Sequence, residues 1–269
     1  MTCVPVFTYH HVNPNKGDMI TVTPEGFGAQ MRYLKEAGFT TLGMNELQDY
    51  AEGKSEVREK SVMITFDDGY LDNFVYAYPH LRANGIKATV FAVTGWMDAA
   101  SNQSEEKKLS GLDELKKRPP THNYCKSLIA EGLFHRAVMN WDMAVEMHGT
   151  GLVEFHSHTA THALCDAITK DDLARELELS KETVELNIGR PCSALCWPKG
   201  RFNALAVETA KEAGYRGVFT TVHGVVKKGS GPFAIKRIDV KEGLSWFKSR
   251  LKIYTNPLMA EIYSKMKGL

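Results

Sequence analysis

The stretch SVMITFDDGYLDNFVYAYPHLRANGIKATVFAV, residues 61–93, sets the fold because it forms one strand–helix–strand pattern. Ser61–Phe66 is an apolar run that predicts a strand, and Ile86–Val93 is a second run rich in β-branched residues. Between them, Leu71–Asn84 has helical spacing and stops at Gly85, a residue type that commonly ends helices in the left-handed conformation. The stretch therefore predicts two parallel strands joined by a helix.

The same alternation continues on both sides of this unit. Further strands are predicted at Val4–Tyr9, Leu152–Phe155, Ala194–Trp197, Gly217–Thr221 and around Ile235–Ile238, and further helices follow the capping residues Thr23, Asn140, Thr169 and Asn203. The pattern predicts one α/β domain, residues 1–269, with a parallel sheet or barrel and helices outside. The alternation lapses at about residues 98–136, a polar stretch that we interpret as an insertion over the top of the fold.

The composition is that of an ordinary globular protein. Of 269 residues, 43% are hydrophobic and 24% are charged, and Lys+Arg 33 against Asp+Glu 32 leave a net charge of +1. This balance argues against a nucleic-acid partner, and no apolar run reaches the roughly 18 residues of a transmembrane helix. Because no signal-peptide pattern is present, we expect a cytoplasmic protein. We expect reduced, mostly buried thiols at Cys3, Cys125, Cys165, Cys192 and Cys196.

Two adjacent carboxylates, Asp67 and Asp68, directly follow the Ser61–Phe66 strand. In α/β folds, functional groups gather at the carboxyl ends of the strands. Two like charges this close are costly unless a cation or a proton separates them. Because Asp–Gly pairs are also common in turns, this motif alone leaves a purely structural role open.

Histidines cluster in HSHTATH, residues 156–162, after the Leu152–Phe155 strand. Neutral imidazole is a common metal ligand, and His158 and His162 can converge on one ion if the segment turns helically. With a carboxylate on the same rim they form an Asp/His/His set that leaves open coordination positions. Such a set favours metal-assisted hydrolysis, in which a second carboxylate serves as the base for the attacking water.

The segments TFDDGY (65–70), SHTATH (157–162) and WPKG (197–200) resemble the leading motifs of the polysaccharide deacetylases, carbohydrate esterase family 4. Their order and spacing match across most of the chain. The resemblance implies a distorted (β/α) barrel of about seven parallel strands with outer helices. It also implies one divalent metal ion, for which we expect Zn²⁺, with Co²⁺, Ni²⁺ and Mn²⁺ as alternatives.

The resemblance assigns roles by position within these motifs. The first Asp of the pair, Asp67, would be the general base. The metal ligands would be Asp68, His158 and His162. His156 precedes the histidine motif, so we expect it to support the site or the fold rather than to bind the ion.

The third motif departs from the family form Arg-x-Pro-Tyr-Gly, because residues 196–200 read CWPKG. In the family, the Tyr position supplies a backbone N–H to the oxyanion. A backbone donor tolerates a change of side chain, so Lys199 can keep this role. We expect Trp197 and Pro198 to line the substrate site beside it.

Two residues with catalytic roles in the family are missing from their usual positions in this sequence. The arginine that orients the base is missing from the third motif, and we expect Arg237 on the late strand to replace it, with Arg190 as the alternative. The C-terminal histidine that many members use as general acid is also missing. Instead, His10 and His11 close the first strand, which resembles the circularly permuted branch that deacetylates exported poly-N-acetylglucosamine. We expect His10 to be the acid and His11 to support it, and leave open that the two are exchanged.

The resemblance implies hydrolysis of the N-acetyl amide of a sugar or glycan. With a cytoplasmic location, the expected substrate is a nucleotide-linked, lipid-linked or nascent glycan. Two alternatives stay open: a metal-dependent amidohydrolase acting on a non-sugar amide, and a non-catalytic glycan-binding protein. The amphipathic segment 244–269 either lies on the inner face of the membrane or, as we favour, packs against the barrel.

Overall fold

A closed barrel of seven parallel strands forms the centre of the protein. The computed structural model describes residues 2–267, with side chains through Tyr263. Its strands are β1 (Cys3–Tyr9), β2 (His11–Val12), β3 (Thr21–Val22), β4 (Thr40–Thr41), β5 (Ser61–Asp68), β6 (Ala88–Ala92), β7 (Val153–Ser157), β8 (Ala194–Cys196), β9 (Gly217–His223), β10 (Val225–Lys227) and β11 (Ile235–Asp239). The barrel order is β1-β5-β6-β7-β8-β9-β11, and it closes because β1 pairs in parallel with both β5 and β11. The predicted fold class is confirmed.

Helices surround this barrel. They are α1 (Pro24–Glu36), α2 (Met44–Ala51), α3 (Tyr78–Asn84), α4 (Thr94–Ser101), α5 (Glu105–Lys117), α6 (His122–Ala130), α7 (Trp141–Gly149), α8 (Lys170–Ile188), α9 (Ala204–Glu212), α10 (Leu244–Tyr254) and α11 (Pro257–Lys267). The side chains of the predicted capping residues each accept a backbone N–H of the first turn: Thr23, Asn140, Thr169 and Asn203. The helix predicted at residues 71–84 contains a π-helical stretch, Asn73–Ala77, and ends at Gly85 with φ +66°.

Two apolar cores hold these layers together. The larger lies between the strands and the outer helices, and the smaller fills the barrel interior with residues such as Val6, Met63 and Phe91. Helix α2 closes the amino-terminal end of the barrel, where the N–H of Met44 donates to Glu154 at 2.6 Å. The carboxyl ends of the strands lie at the opposite rim.

Two segments outside the regular alternation are helical. The predicted insertion contains α5 and α6, and α6 lies against the carboxyl-terminal rim. The C-terminal segment forms two helices rather than one, α10 and α11, and the Phe247 ring of α10 packs 4.9 Å from that of Phe7. Residues 268 and 269, the end of the predicted amphipathic segment, lie outside the described residues. Between residues 2 and 267, no helix has the length and apolar character needed to cross a membrane.

Candidate active site

A cleft of about 380 Å³ opens at the carboxyl ends of the barrel strands. Most of the residues predicted for the site line it: His10, Asp67, Asp68, His158, His162, Trp197 and Lys199. The other lining residues were not predicted: Ile20, Tyr70, Trp96, His122, Lys126, Ile129, Ala130 and Thr221. The strand-end arrangement therefore brings the three motifs into one cleft, as a parallel barrel requires.

Asp67 is held by a buried arginine. The guanidinium of Arg237 donates to both carboxylate oxygens, at 2.7 and 2.8 Å, and its Nε donates to the Thr220 carbonyl at 2.8 Å. Burial alone would raise the pKa of Asp67, but the charge and hydrogen bonds of Arg237 outweigh it and lower that pKa. Asp67 is therefore an ionised, oriented carboxylate despite being only 3% exposed.

A cysteine occupies the position where the family pattern has its arginine. The Sγ of Cys196 lies 3.0 Å from the Arg237 guanidinium and 3.7 Å from Asp67 Oδ2. A small side chain there leaves room for a guanidinium that arrives from β11 instead of β8. Arg237 thus lies beside Asp67, as expected, whereas Arg190 is exposed at the other end of the barrel.

His10 approaches the other side of Asp67. Its Nε2 is 3.8 Å from Asp67 Oδ2, and its side chain is 24% exposed. The backbone carbonyl of His10 accepts a hydrogen bond from the Asn73 side chain at 2.8 Å. Because β1 lies between β5 and β11, the end of the first strand reaches the same rim as Asp67.

Asp68, His158 and His162 form a group that fits one metal ion. Asp68 Oδ1 lies 3.4 Å from Nε2 of each histidine. Bonds of about 2.0–2.2 Å at a tetrahedral angle separate ligand atoms by about this distance. Asp68 Oδ1 is also buried without a hydrogen-bond partner among the described residues, which is costly unless something else satisfies it. A carboxylate and two imidazoles suit Zn²⁺.

The protonation states agree with this assignment. Burial would raise the pKa of Asp68, but His158 and the other nearby histidines lower it strongly, so it is ionised. Burial, and then His158, lower the pKa of His162 to about 4. Burial also opposes charging of His158, yet Cys196 and the Asp68 carboxylate raise its pKa well above the usual value. An ion binding here would therefore displace a proton from His158.

The tautomer of His158 is fixed by the strand beside it. Its Nδ1 lies 2.8 Å from the Cys196 carbonyl, which can only accept, so Nδ1 carries the proton and donates. Nε2 then faces Asp68. A second group of possible ligands, Asp67, His158 and Cys196, shares this histidine. The buried Arg237 cation beside two of its members makes that group the poorer host for a dication.

The backbone at the site adopts rare conformations. Outside glycine, positive φ occurs among the described residues at Ile20, Asp68, Thr159, His162 and Lys199, and all but Thr159 line the cleft. Such conformations cost about 1–3 kcal/mol each and concentrate at functional sites. The strain aims the two predicted ligands and the third motif into the same space.

Glu176 of α8, which the sequence did not indicate, supports the loop that carries His158 and His162. Its carboxylate accepts the backbone N–H of Ala160 at 3.0 Å, and both the N–H and hydroxyl of Thr161 at 2.9 and 2.7 Å. The indole ring of Trp96 packs against His162, with the ring planes tilted by 36° and the centroids 5.3 Å apart. Both contacts restrict the orientation of the second histidine of the motif.

The third motif forms a tight turn after β8. Lys199 has φ +54° and Gly200 has φ +64°, and a Cβ on Gly200 would lie 2.0 Å from the hydroxyl oxygen of Thr221. Only glycine fits this close approach. Trp197 is fully buried and lines the cleft, whereas Pro198 is buried and is not among the lining residues, contrary to the expectation.

His11 and His156 lie next to the site but outside the cleft lining. His11 is fully buried, and its Nδ1 donates to Asp72 Oδ2 at 2.7 Å while its ring stacks on Tyr70. His156 lies in the barrel interior below His158 and borders a separate cavity of about 310 Å³ at the α2 end. Burial, and then His148, lower the pKa of His156 to about 3, so this ring is neutral.

Comparison with known proteins identifies the family of this chain. Residues 54–218, more than half of the chain, match the sequence profile of the family described as polysaccharide deacetylase. The Bacillus subtilis protein YxkH, named as a polysaccharide deacetylase, is 26% identical over 242 residues, which cover 90% of this chain and 73% of YxkH.

Two further relatives are similar. The structure of Streptococcus pyogenes deacetylase PplD in complex with acetate superposes with a TM-score of 0.76 at 22% identity, covering 95% of this chain and 99% of that one. The poly-β-1,6-N-acetyl-D-glucosamine N-deacetylase of Escherichia coli K12 is 24% identical over 234 residues, 81% of this chain and 34% of the relative. The family match and the shared barrel establish that this chain belongs to the polysaccharide deacetylase family.

Proposed function

We propose that the protein is a metal-dependent N-deacetylase that hydrolyses the N-acetyl amide of a sugar in a glycan, releasing acetate and a free amine. One observation carries the proposal. A single cleft holds both an ionised, arginine-bound carboxylate, Asp67, and a separate ligand set, Asp68, His158 and His162. The name of the Escherichia coli relative supports an N-acetylated sugar as substrate.

The ligand set supports a divalent cation, and we propose Zn²⁺. When bound, such an ion polarises a carbonyl and lowers the pKa of a water from about 15.7 towards 7. Asp68 would contribute the charged ligand, and His158 and His162 the neutral ones. The buried Asp68 Oδ1 supports this role because no other group among the described residues satisfies it.

Four other residues have separate roles in the reaction. Asp67 takes the proton of the attacking water as the water oxygen adds to the amide carbonyl carbon. The backbone N–H of Lys199 donates to the oxygen that becomes negatively charged. His10 then donates a proton to the nitrogen as the C–N bond breaks, since an unprotonated amide anion is too poor a leaving group. Arg237 orients Asp67 and keeps it ionised until it takes this proton.

Acetate release from defined substrates tests the proposal. Purified protein with one equivalent of Zn²⁺ is given N-acetylglucosamine tetramers, in β-1,6 and β-1,4 linkage, and a cyclic amide such as hydantoin. We expect acetate and a free amine from at least one tetramer and no opening of the cyclic amide. Tetramer binding without acetate release would assign a binding function instead, and turnover of only the cyclic amide would assign an amidohydrolase.

A further inference from the structure

Helix α6 forms one wall of the cleft, although it belongs to the segment inserted between barrel strands. His122, Lys126 and Ile129 of this helix all line the cleft. Their spacing of four and then three residues places them on one face of the helix. The inserted segment therefore presents a defined surface to any substrate that reaches Asp67.

A network of hydrogen bonds fixes the start of α6 to the loop between β2 and β3. The backbone N–H of His122 donates to Asp18 Oδ2 at 2.6 Å. The Asn15 side chain donates to the carbonyls of Pro119 and Pro120, both at 3.0 Å. The backbone at the start of α6 is thus held by side chains that come from the loop between β2 and β3.

The imidazole of His122 is fixed as well. Its Nδ1 lies 3.3 Å from Nε2 of His11, whose Nδ1 donates to Asp72 Oδ2 at 2.7 Å. Asp72 is only 2% exposed and also accepts from the Asn13 side chain at 2.8 Å. The hydrogen-bonded side chains of Asn13, Asp72 and His11 therefore determine how the His122 ring is oriented at the cleft.

In this orientation of the His122 ring, Nε2 is the ring nitrogen that is available to a ligand. Nδ1 is occupied by His11, and Nε2 has no hydrogen-bond partner among the described residues. A ring nitrogen that is oriented by a buried relay and lies on a cleft wall suits a hydroxyl group. A hydroxyl both donates and accepts, so it pairs with either protonation form of Nε2.

We propose that His122 is a substrate-binding residue whose Nε2 hydrogen-bonds a sugar hydroxyl, oriented by Asp72 and His11. The proposal rests on the proposed function, because it takes an N-acetylated sugar as the ligand. His122 would determine affinity and specificity for the sugar and would not take part in proton transfer. His11 and Asp72 would act only by positioning the His122 ring.

A matched pair of variants tests this role. In His122→Asn, the amide reaches only as far as Nδ1, so it keeps a partner for His11 but loses the atom that faces the cleft. In His122→Gln, the amide reaches the position of Nε2. We expect His122→Asn to raise KM for the N-acetylglucosamine tetramer about tenfold with kcat within about twofold, as expected for one lost hydrogen bond. We expect His122→Gln to stay within about threefold of wild type in KM.

An aryl acetate ester serves as a control substrate because it carries no sugar hydroxyl. Both variants should hydrolyse p-nitrophenyl acetate at the wild-type rate. Equal losses on the ester and the tetramer would mean a structural role, and a loss of kcat without a change in KM would mean proton transfer. Either result overturns the proposal.

Binding measured without turnover separates this proposal from the proposed function. In the Asp67→Asn background, titration calorimetry with the tetramer should give a Kd about tenfold higher when His122→Asn is added. Unchanged tetramer binding overturns the His122 proposal even if the wild type releases acetate. Failure of the wild type to release acetate, with a tenfold binding difference intact, contradicts the deacetylase function and leaves the sugar contact supported.

Discussion

The carboxylate of Asp67 and the guanidinium of Arg237 form a bidentate ion pair at the carboxyl-terminal end of the barrel, with N–O distances of 2.7 and 2.8 Å. Both side chains are buried, so neither charge is compensated by water. A carboxylate in this setting stays ionised because its partner cation is fixed in place. The pair is 170 residues apart in sequence, and only closure of the barrel brings it together.

Removing the cation should raise the pKa of Asp67. In Arg237→Met, burial acts on the carboxylate without the opposing charge, so the acid limb of the kcat/KM profile should move up by about 1–3 pH units. The same substitution at the exposed Arg190 should leave the profile unchanged. An unshifted acid limb in Arg237→Met would show that Asp67 is not the group that titrates there.

Asp67→Asn should keep the metal and lose most of the turnover. Asparagine is nearly isosteric with aspartate but cannot accept a proton from water, and loss of a general base costs about 10²–10⁴-fold. Metal content by elemental analysis and acetate release from the same sample provide the measurement. More than a tenth of the wild-type rate would place the base elsewhere.

His10→Ala should lower kcat for the tetramer about 10²-fold with unchanged metal content, within the range expected for a lost general acid. It should hardly affect p-nitrophenyl acetate, whose leaving group needs no proton. His11→Asn keeps a donor towards Asp72 and should change kcat far less. If the His10 variant were nearly as active as wild type and the His11 variant were inactive, His11 would be the general acid instead.

The buried ring of His156 should lower the stability of the folded protein at acid pH. The pKa of His156 is lowered to about 3, against an ordinary value of 6.5. Below pH 6.5 the unfolded chain therefore binds a proton that the folded chain refuses, so this residue reduces stability as the pH falls from 6.5 towards 3. Between pH 6.5 and 5, metal-free wild type should lose about 1.6 kcal/mol more unfolding free energy than His156→Leu. Urea unfolding at both pH values measures this, and parallel losses would contradict a neutral buried ring.

Sequence alone predicts those parts of the site that local patterns encode. Apolar runs followed by Asp67 or by His158 indicate both the strand and the chemistry at its end. Arg237 could be expected as a replacement for the family arginine because the third motif lacks that arginine and a late strand carries Arg237. Its physical basis, the space left by Cys196, requires the packed structure.

The rest depends on contacts that no local pattern encodes. Helix α6 lies within a polar segment, and nothing in its sequence indicates that His122 meets His11, 111 residues away. Glu176 looks like one of many acidic residues on a long helix until the loop at Ala160 is placed against it. The positive φ of Asp68 and His162 is likewise imposed by tertiary structure, since these residue types do not demand it.

Metal reconstitution tests the central claim most directly. Protein stripped with a chelator should release no acetate from the N-acetylglucosamine tetramer, and adding Zn²⁺ should restore activity with a break at one equivalent. His158→Ala should bind no stoichiometric metal and should not be restored, because Asp68 and His162 alone offer too few ligands. Full activity of the stripped protein, or one retained equivalent of metal in His158→Ala, would contradict the account.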